Sequence, residues 1–361
     1  MADKLKQMHL SHVMVIEMGR LSAVIAVLIL VALCGTAAEA YVIQPEELEE
    51  IIKNIETYPN LVIIDVRKAE DYANGHIPGA INIYWKSFRD EKGVLLPVTE
   101  VADILGENGI TNTNDIILYD DRGGSEASYV FWMLDYLGHK GNISVLNGSV
   151  SKVWKGNFST EEVKRSPTSY EVDLKPETHA DTEWVKNHLD DPNVIFVDTR
   201  SSDEYTGKKI KGDDPRGGHI PGAINLNYED LWANKETKTL KSVEELGNIF
   251  SEKGLDKDKE IVVYCHSGRR ASFVYYALKL VGYDKVRNYD ESMVIYSAKL
   301  DLPLENETFR EGVTPPTTTP TPTTTPTAPK SETPEEEPTP GFTVISVIGA
   351  LAAVLLLLRR R

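Results

Sequence analysis

The heptapeptide His76-Ile77-Pro78-Gly79-Ala80-Ile81-Asn82 recurs without change as His219-Ile220-Pro221-Gly222-Ala223-Ile224-Asn225. A repeat spaced by well over a hundred residues indicates a duplicated domain, not a solenoid. Its surroundings repeat as well. An apolar run ending in Asp-x-Arg precedes each copy: Leu61 to Ile64 before Asp65-Val66-Arg67, and Val194 to Val197 before Asp198-Thr199-Arg200. A helical pattern, a second apolar run, a turn and another helix follow each copy. In the first half these last elements are Ile116 to Tyr119, the turn Asp120 to Glu126, and Ala127 to Leu137. In the second they are Glu260 to Tyr264, a turn at Cys265, and Ala271 to Val281. Strands alternating with helices predict an α/β fold, each half a parallel sheet with helices on both faces. The predicted domains are 41–165 and 166–312, with the break at Ser166-Pro167-Thr168-Ser169. Gln44-Pro45-Glu46-Glu47 and the capping box Ser242-Val243-Glu244-Glu245 mark helix starts.

The halves differ where chemistry would sit. Cys265 opens the run Cys265-His266-Ser267-Gly268-Arg269-Arg270-Ala271-Ser272, directly after the strand. A cysteine on a strand-to-helix turn faces loop amides and the positive end of the helix dipole. With two arginines nearby, the thiolate is favoured over the thiol, and the thiolate is the nucleophile. The competing reading is an inert buried cysteine, but such a residue has no need of two arginines and a glycine beside it. A zinc site is not expected, since His266 alone completes no ligand set; no metal or other cofactor is expected. Four residues separate Cys265 from Arg270, a tighter ring than the five that cradle phosphate in cysteine phosphatases, and better matched to sulfur.

A net charge of −16 and a pI near 5.0 argue against nucleic acid as a partner. The chain has two cysteines. The other, Cys34, lies in the apolar run Leu21 to Ala38, which follows Arg20 and ends in Ala38-Glu39-Ala40, the parts of a secretory signal peptide. Residues 1–40 are therefore expected to be removed, leaving one thiol and no intrachain disulfide. Cys34 makes a weak lipoprotein site, because Leu33 before it is too large. Met18-Gly19-Arg20 would itself make a normal signal start, so residues 1–17 are a candidate over-called extension. Residues 313–340, nearly all Thr, Pro, Glu, Ser and Ala from Thr314 onward, are expected to form an extended stalk, a candidate for O-glycosylation. Residues 341–361 hold an apolar stretch, Phe342 to Leu358, followed by Arg359-Arg360-Arg361, predicting a C-terminal transmembrane helix with a cytoplasmic end. The expected location is the outer face of the cell membrane, with the sequons at Asn142, Asn147, Asn157 and Asn306 accessible.

Taken together, Asp-x-Arg twice, His-Ile-Pro-Gly-Ala twice and a single cysteine loop resemble the rhodanese superfamily, in the tandem form of thiosulfate and 3-mercaptopyruvate sulfurtransferases. The resemblance covers roughly residues 41–310. It implies two rhodanese-like domains, the first catalytically inactive because Asp120 stands where Cys265 stands. It implies a persulfide on Cys265, held by a loop that includes His266, Gly268 and Ala271. Arg200, Ser267, Arg269 and Arg270 are the implied substrate-binding residues, Arg200 at the mouth of the site. The implied partners are a small anionic sulfur donor and a thiol or cyanide acceptor. Asp65, Arg67, Asp198 and both His-Ile-Pro-Gly-Ala-Ile-Asn segments are read as folding features, and His266 as a solvated loop residue. Gly207 to Gly218 is an insertion of the kind tandem members carry. Ser267 matches the mercaptopyruvate enzymes, while Arg269-Arg270 matches single-domain thiosulfate enzymes, so the donor stays open. The tail, with Pro340-Gly341-Phe342, resembles the archaeal PGF sorting signal processed by archaeosortase, implying a sortase-type processing enzyme as partner and the surface layer as destination. A persulfide carrier or redox sensor, a surface-layer interaction module, and a phosphatase or arsenate reductase on the same fold are the rival readings.

Overall fold

The computed structural model describes residues 41–313. The expected leader with Cys34, the membrane-spanning tail and all of the stalk but Val313 lie outside the described residues. Among the described residues no helix is long and apolar enough to cross a membrane.

The first half contributes β1 (Val42–Ile43), β2 (Leu61–Asp65), β3 (Ile81–Asn82), β4 (Asp115–Tyr119) and β5 (Ile143–Leu146). These form one parallel sheet in the order β1-β5-β4-β2-β3. The second half contributes β6 (His179–Ala180), β7 (Val194–Asp198), β8 (Arg216–His219), β9 (Ile224–Asn225), β10 (Glu260–Tyr264), β11 (Val286–Tyr289) and β12 (Glu305–Phe309). Five of them repeat the topology as β6-β11-β10-β7-β9, again all parallel. The central strands are runs of branched apolar residues buried on both faces, the pattern of a sheet covered by crossover helices. The Ser242–Glu245 capping box forms, and Gln44 with Glu47 makes a second one at the other helix start.

β8 and β12 pair antiparallel in a separate ribbon. Sequence reading placed no strand in either, because Arg216-Gly217-Gly218-His219 and Glu305-Asn306-Glu307-Thr308-Phe309 lack an apolar run.

The repeated motifs build the same network twice. In the first half Arg67 donates to Asp65 and to the Gly75 carbonyl, Asn82 Nδ2 donates to the Asp65 and Arg67 carbonyls, and the His76 ring stacks on Tyr72. In the second half Arg200 Nε donates to Asp198 Oδ1 (2.9 Å), and its Nη2 to Asp198 Oδ2 (2.6 Å) and the Gly218 carbonyl (2.6 Å). Asn225 and the His219–Tyr205 stack repeat their counterparts. Each strand-end tyrosine, Tyr119 or Tyr264, accepts from the backbone N–H of the isoleucine after the histidine. Arg200 is therefore not at the mouth of a site. It is 3 % exposed and committed to Asp198 and Gly218, a correction forced by the identity of the two networks.

One apolar layer runs through both halves by way of two helices, Ala127–Tyr136 and Arg269–Leu280. Phe131 meets Tyr276 edge-on at 5.1 Å, Tyr275 donates to Asp135 Oδ2 and Tyr276 to the Tyr41 carbonyl. These are the helices that follow the Asp120 and Cys265 turns, so packing the two halves together brings both turns to one interface.

Candidate active site

β10 ends at Tyr264, and Cys265 begins a short turn that pivots on Gly268 at φ +78°. A Cβ there would meet Asp290 backbone at 3.0 Å, so only glycine fits. Because the left-handed residue completes the turn, the helix starts at Arg269, two residues earlier than the apolar pattern predicts. Ser292 braces the turn. Its Oγ accepts from the N–H groups of Cys265 (3.1 Å) and Gly268 (3.2 Å) and donates to the Tyr289 carbonyl (2.6 Å), with Ser292 itself at φ +48°.

Cys265 is 1 % exposed. Burial by itself pushes a thiol up, but the Arg270 charge, the N–H groups of Ala271 and Ser267, and the Lys211 ammonium outweigh it and hold the thiol below its ordinary range. The cup thus favours an anionic sulfur, whether a thiolate or the outer atom of a persulfide.

The cations around it are positioned differently. Arg270 makes a two-pronged bond to Glu204 (Nη1–Oε2 2.7 Å, Nη2–Oε1 2.8 Å), which fixes its plane beside the sulfur. Burial would raise the Glu204 carboxyl, yet the hydrogen bonds and charge of Arg270 bring it down to about 2. Arg269 Nη1 donates to Ser125 Oγ (2.6 Å) of the first half. Lys209 and Lys211, from the insertion, join Ser201, Glu204, Asn227, Tyr228, Glu229, Arg269 and Arg270 around a cleft of about 290 Å³. Ser267 acts through its backbone: its N–H faces the sulfur and its carbonyl accepts from Arg89. His266 is not a solvated loop residue. Its Nε2 lies 3.3 Å from Asp214, tying the insertion to the loop. Among the described residues no group of three His, Cys, Asp or Glu is placed to hold a metal.

The structure therefore gathers Cys265, His266, Ser267, Gly268, Arg269, Arg270 and Ala271 and leaves Arg200 out. Sequence reasoning missed Glu204, Ser292, Lys209 and Lys211. The basic run Lys208-Lys209-Ile210-Lys211 was a visible signal for the lysines. The capping box Ser201-x-x-Glu204 advertised only a helix start.

In the first half the same cup is filled by its own side chain. Asp120, 1 % exposed, accepts from four backbone N–H groups: Arg122 and Gly124 at Oδ1 (both 2.8 Å), Glu126 (2.6 Å) and Ala127 (2.8 Å) at Oδ2. Ser128 N donates to Gly124 O as Ser272 N donates to Gly268 O. Counting from these matched bonds, Glu126 occupies the place of Arg270, and Ser125 that of Arg269.

Each half also caps a neighbouring turn of the other, the one that follows β11 or β5. Leu95 N donates to Asp290 Oδ2 (2.9 Å), from the arch closed by the Arg89–Leu95 bridge. Leu240 N donates to Asn147 Oδ1 (2.8 Å), from the arch closed by Trp232–Leu240. Asn147 is thereby removed from the accessible sequons, its Nδ2 also donating to Gln44. Asn142, Asn157 and Asn306 are exposed.

Comparison with known proteins adds three findings. A rhodanese-like domain is recognised twice, over residues 45–156 and 181–299. A putative thiosulfate sulfurtransferase of Mycolicibacterium smegmatis is 33 % identical over 262 residues, covering 68 % of this chain and 92 % of that protein. One of Haloferax volcanii is 31 % identical, covering 68 % and 88 %. The sulfur carrier protein TtuD of Thermus thermophilus is 35 % identical, covering 64 % and 86 %. Among solved structures, the anaerobic ergothioneine biosynthesis enzyme of Chlorobium limicola superposes with a TM-score of 0.66 at 24 % identity, over 74 % of this chain and 70 % of that one. At that identity the likeness speaks for the fold alone.

Proposed function

This chain belongs to the rhodanese-like domain family, and we propose that it is a sulfurtransferase that moves the outer sulfur of thiosulfate through a persulfide on Cys265. The observation that carries the reading is a buried thiol held toward its anionic form by Arg270, two amides and Lys211, beside a cleft lined by Lys209, Lys211 and Arg269. The thiolate attacks the outer sulfur of the donor. The donor's S–S bond breaks, its electron pair leaves on sulfite, and Cys265 keeps the sulfur as a persulfide. An acceptor thiolate or cyanide then attacks that sulfur and returns Cys265 as thiolate. The amide cup holds the charge at each stage, as an oxyanion hole does. The names of the mycobacterial and haloarchaeal relatives support the reaction class. The two lysines and two arginines of the cleft outnumber its two glutamates, Glu204 and Glu229, and this excess of positive charge favours doubly charged thiosulfate over 3-mercaptopyruvate.

The proposal extends to location: an ectodomain outside the cell, anchored by residues 341–361 or by whatever replaces them after sortase-type cleavage. It rests on the leader and tail patterns of the sequence.

Intact-mass measurement after thiosulfate treatment tests the chemistry. The expected result is a gain of one sulfur atom in the wild type and none in Cys265→Ser, with sulfite release falling by a factor of roughly 10³ or more. Undiminished release in the variant ends the proposal. The likeness to a sulfur carrier protein favours a second reading, a persulfide carrier that does not turn over. Many turnovers with thiosulfate and cyanide would exclude it.

A further inference from the structure

The two arginines of the Cys265 loop are held by different halves of the molecule. Arg270 is bound on two prongs by Glu204 of its own half. Arg269 is half-buried and makes no ion pair within 4 Å among the described residues. Its side chain donates instead from Nη1 to Ser125 Oγ of the first half, at 2.6 Å. Ser125 is 0 % exposed, and its hydroxyl is fixed in role as well as in place. The proton goes to the Arg122 carbonyl (3.2 Å), which leaves the oxygen free to accept from the guanidinium.

Ser125 holds the position in the first half that Arg269 holds in the second, so equivalent residues meet across the interface. Arginine at both would set like charges in contact. Serine at one turns the meeting into a charge-assisted hydrogen bond.

Arg269 also lines the cleft beside Cys265, with Lys211 and Tyr228. Its charge reaches both neighbours. Burial and the charges of Arg270 and Arg269 depress the Lys211 ammonium below its ordinary range. Burial pushes the Tyr228 hydroxyl up, and Arg269 opposes that push. Without a carboxylate to fix it, an arginine here would surrender its rotamer freedom each time an anion bound. The bond to Ser125 removes part of that freedom in advance.

We propose that Ser125 is a positioning residue, which holds Arg269 at the edge of the Cys265 cleft. The half that lacks a cysteine thereby helps to bind the anionic donor used by the other. The proposal rests on the persulfide reading above, in which Arg269 meets the donor. Ser125 lines no part of that cleft. Its effect is therefore on donor binding, through Arg269, and not on the transfer of sulfur.

The test measures steady-state sulfite release with thiosulfate varied and cyanide in excess. It compares wild type, Ser125→Ala, Arg269→Met and the double variant. Ser125→Ala is expected to raise the KM for thiosulfate about fivefold and leave kcat within about twofold, the pattern of lost ground-state binding. KM does not depend on how much of each variant is folded, so a merely structural role leaves it unmoved. Arg269→Met should raise KM about tenfold, and adding Ser125→Ala to it should change KM by less than about twofold. An unchanged KM in Ser125→Ala overturns the proposal. An equal effect of Ser125→Ala in both backgrounds overturns it too, since Ser125 would not then act through Arg269.

Should wild type release no sulfite, the persulfide reading fails on its own. Arg269 is then judged by the rate at which anionic iodoacetate alkylates Cys265, relative to neutral iodoacetamide. A ratio that falls about fivefold in Ser125→Ala, and no further when Ser125→Ala is added to Arg269→Met, sustains the positioning role. An unchanged ratio, or a further fall, overturns it.

Discussion

The turn after β4 and the turn after β10 are copies of one design with opposite contents. Each sits at the end of a central parallel strand, leads into a helix at the shared interface, and lies against an arch from the other half, Arg89 at Ser267 and Lys238 beside Gly123. In one, four amides converge on the carboxylate of Asp120. In the other, the amides of Ser267 and Ala271 converge on Cys265. The charge at the start of each helix is inverted as well: Glu126 stands where Arg270 stands. An amide cup made by backbone survives the loss of its nucleophile, because the N–H groups belong to the fold and must be satisfied by something. The first half satisfies them with a carboxylate, the second with the sulfur of its cysteine.

Three substitutions would sharpen or break this contrast. The largest effect is expected at Arg270→Gln, which removes the cation that distinguishes the Cys265 turn and strands Glu204. Breaking a buried pair from one side costs about 3–5 kcal/mol. Urea unfolding should show a loss of that order, and the alkylation rate of Cys265 should rise only at higher pH than in wild type. An unchanged alkylation profile would mean that the amides alone hold the thiolate.

Next, Asp120→Ala empties the opposite cup and leaves its buried N–H groups without an acceptor. At about 1–3 kcal/mol for an unsatisfied buried group, with some relaxation, a net loss of about 2–4 kcal/mol is expected in denaturant unfolding. Sulfite release per folded molecule should hold near wild type. A loss below half a kcal/mol would show that the carboxylate is not what the first cup is built around.

The smallest effect concerns pH. Glu126 has its folded pKa raised from 4.5 to about 7 by burial and by Asp120. The folded state therefore holds a proton that the unfolded chain has released, and stability falls as pH rises through this window. At 1.36 kcal/mol per unit the shift amounts to on the order of 3 kcal/mol. Thermal unfolding of Glu126→Gln should lose part of this decline, gaining about 2 kcal/mol on wild type between pH 5 and 8. A parallel dependence in the two proteins would contradict the inverted charge at this position.

Much of the architecture was legible in the chain. The exact recurrence of His-Ile-Pro-Gly-Ala-Ile-Asn, with Asp-x-Arg before each copy, announced two similar units. The runs Leu61-Val62-Ile63-Ile64 and Ile261-Val262-Val263-Tyr264 have the composition of strands buried on both sides, and both are. The β8–β12 ribbon was not legible, since it owes its existence to pairing between segments nearly ninety residues apart rather than to apolar periodicity. At the site, Cys265 and its loop could be named from spacing. Arg200 was misread because Asp-x-Arg looks alike whether its arginine faces a ligand or a carbonyl. Only the bonds to Asp198 and Gly218 distinguish the two.

The sequence by itself determined the duplication and the parallel α/β class of each half, and singled out Cys265. These depend on backbone propensity and on apolar patterns a few residues long. Which charges surround that sulfur was decided by tertiary structure alone: Glu204 and Lys211 are brought to it across the insertion, and Arg89 across the domain interface. Electrostatic partners are chosen by distance in space. A chain written in one dimension carries no record of that distance until its sheets have packed.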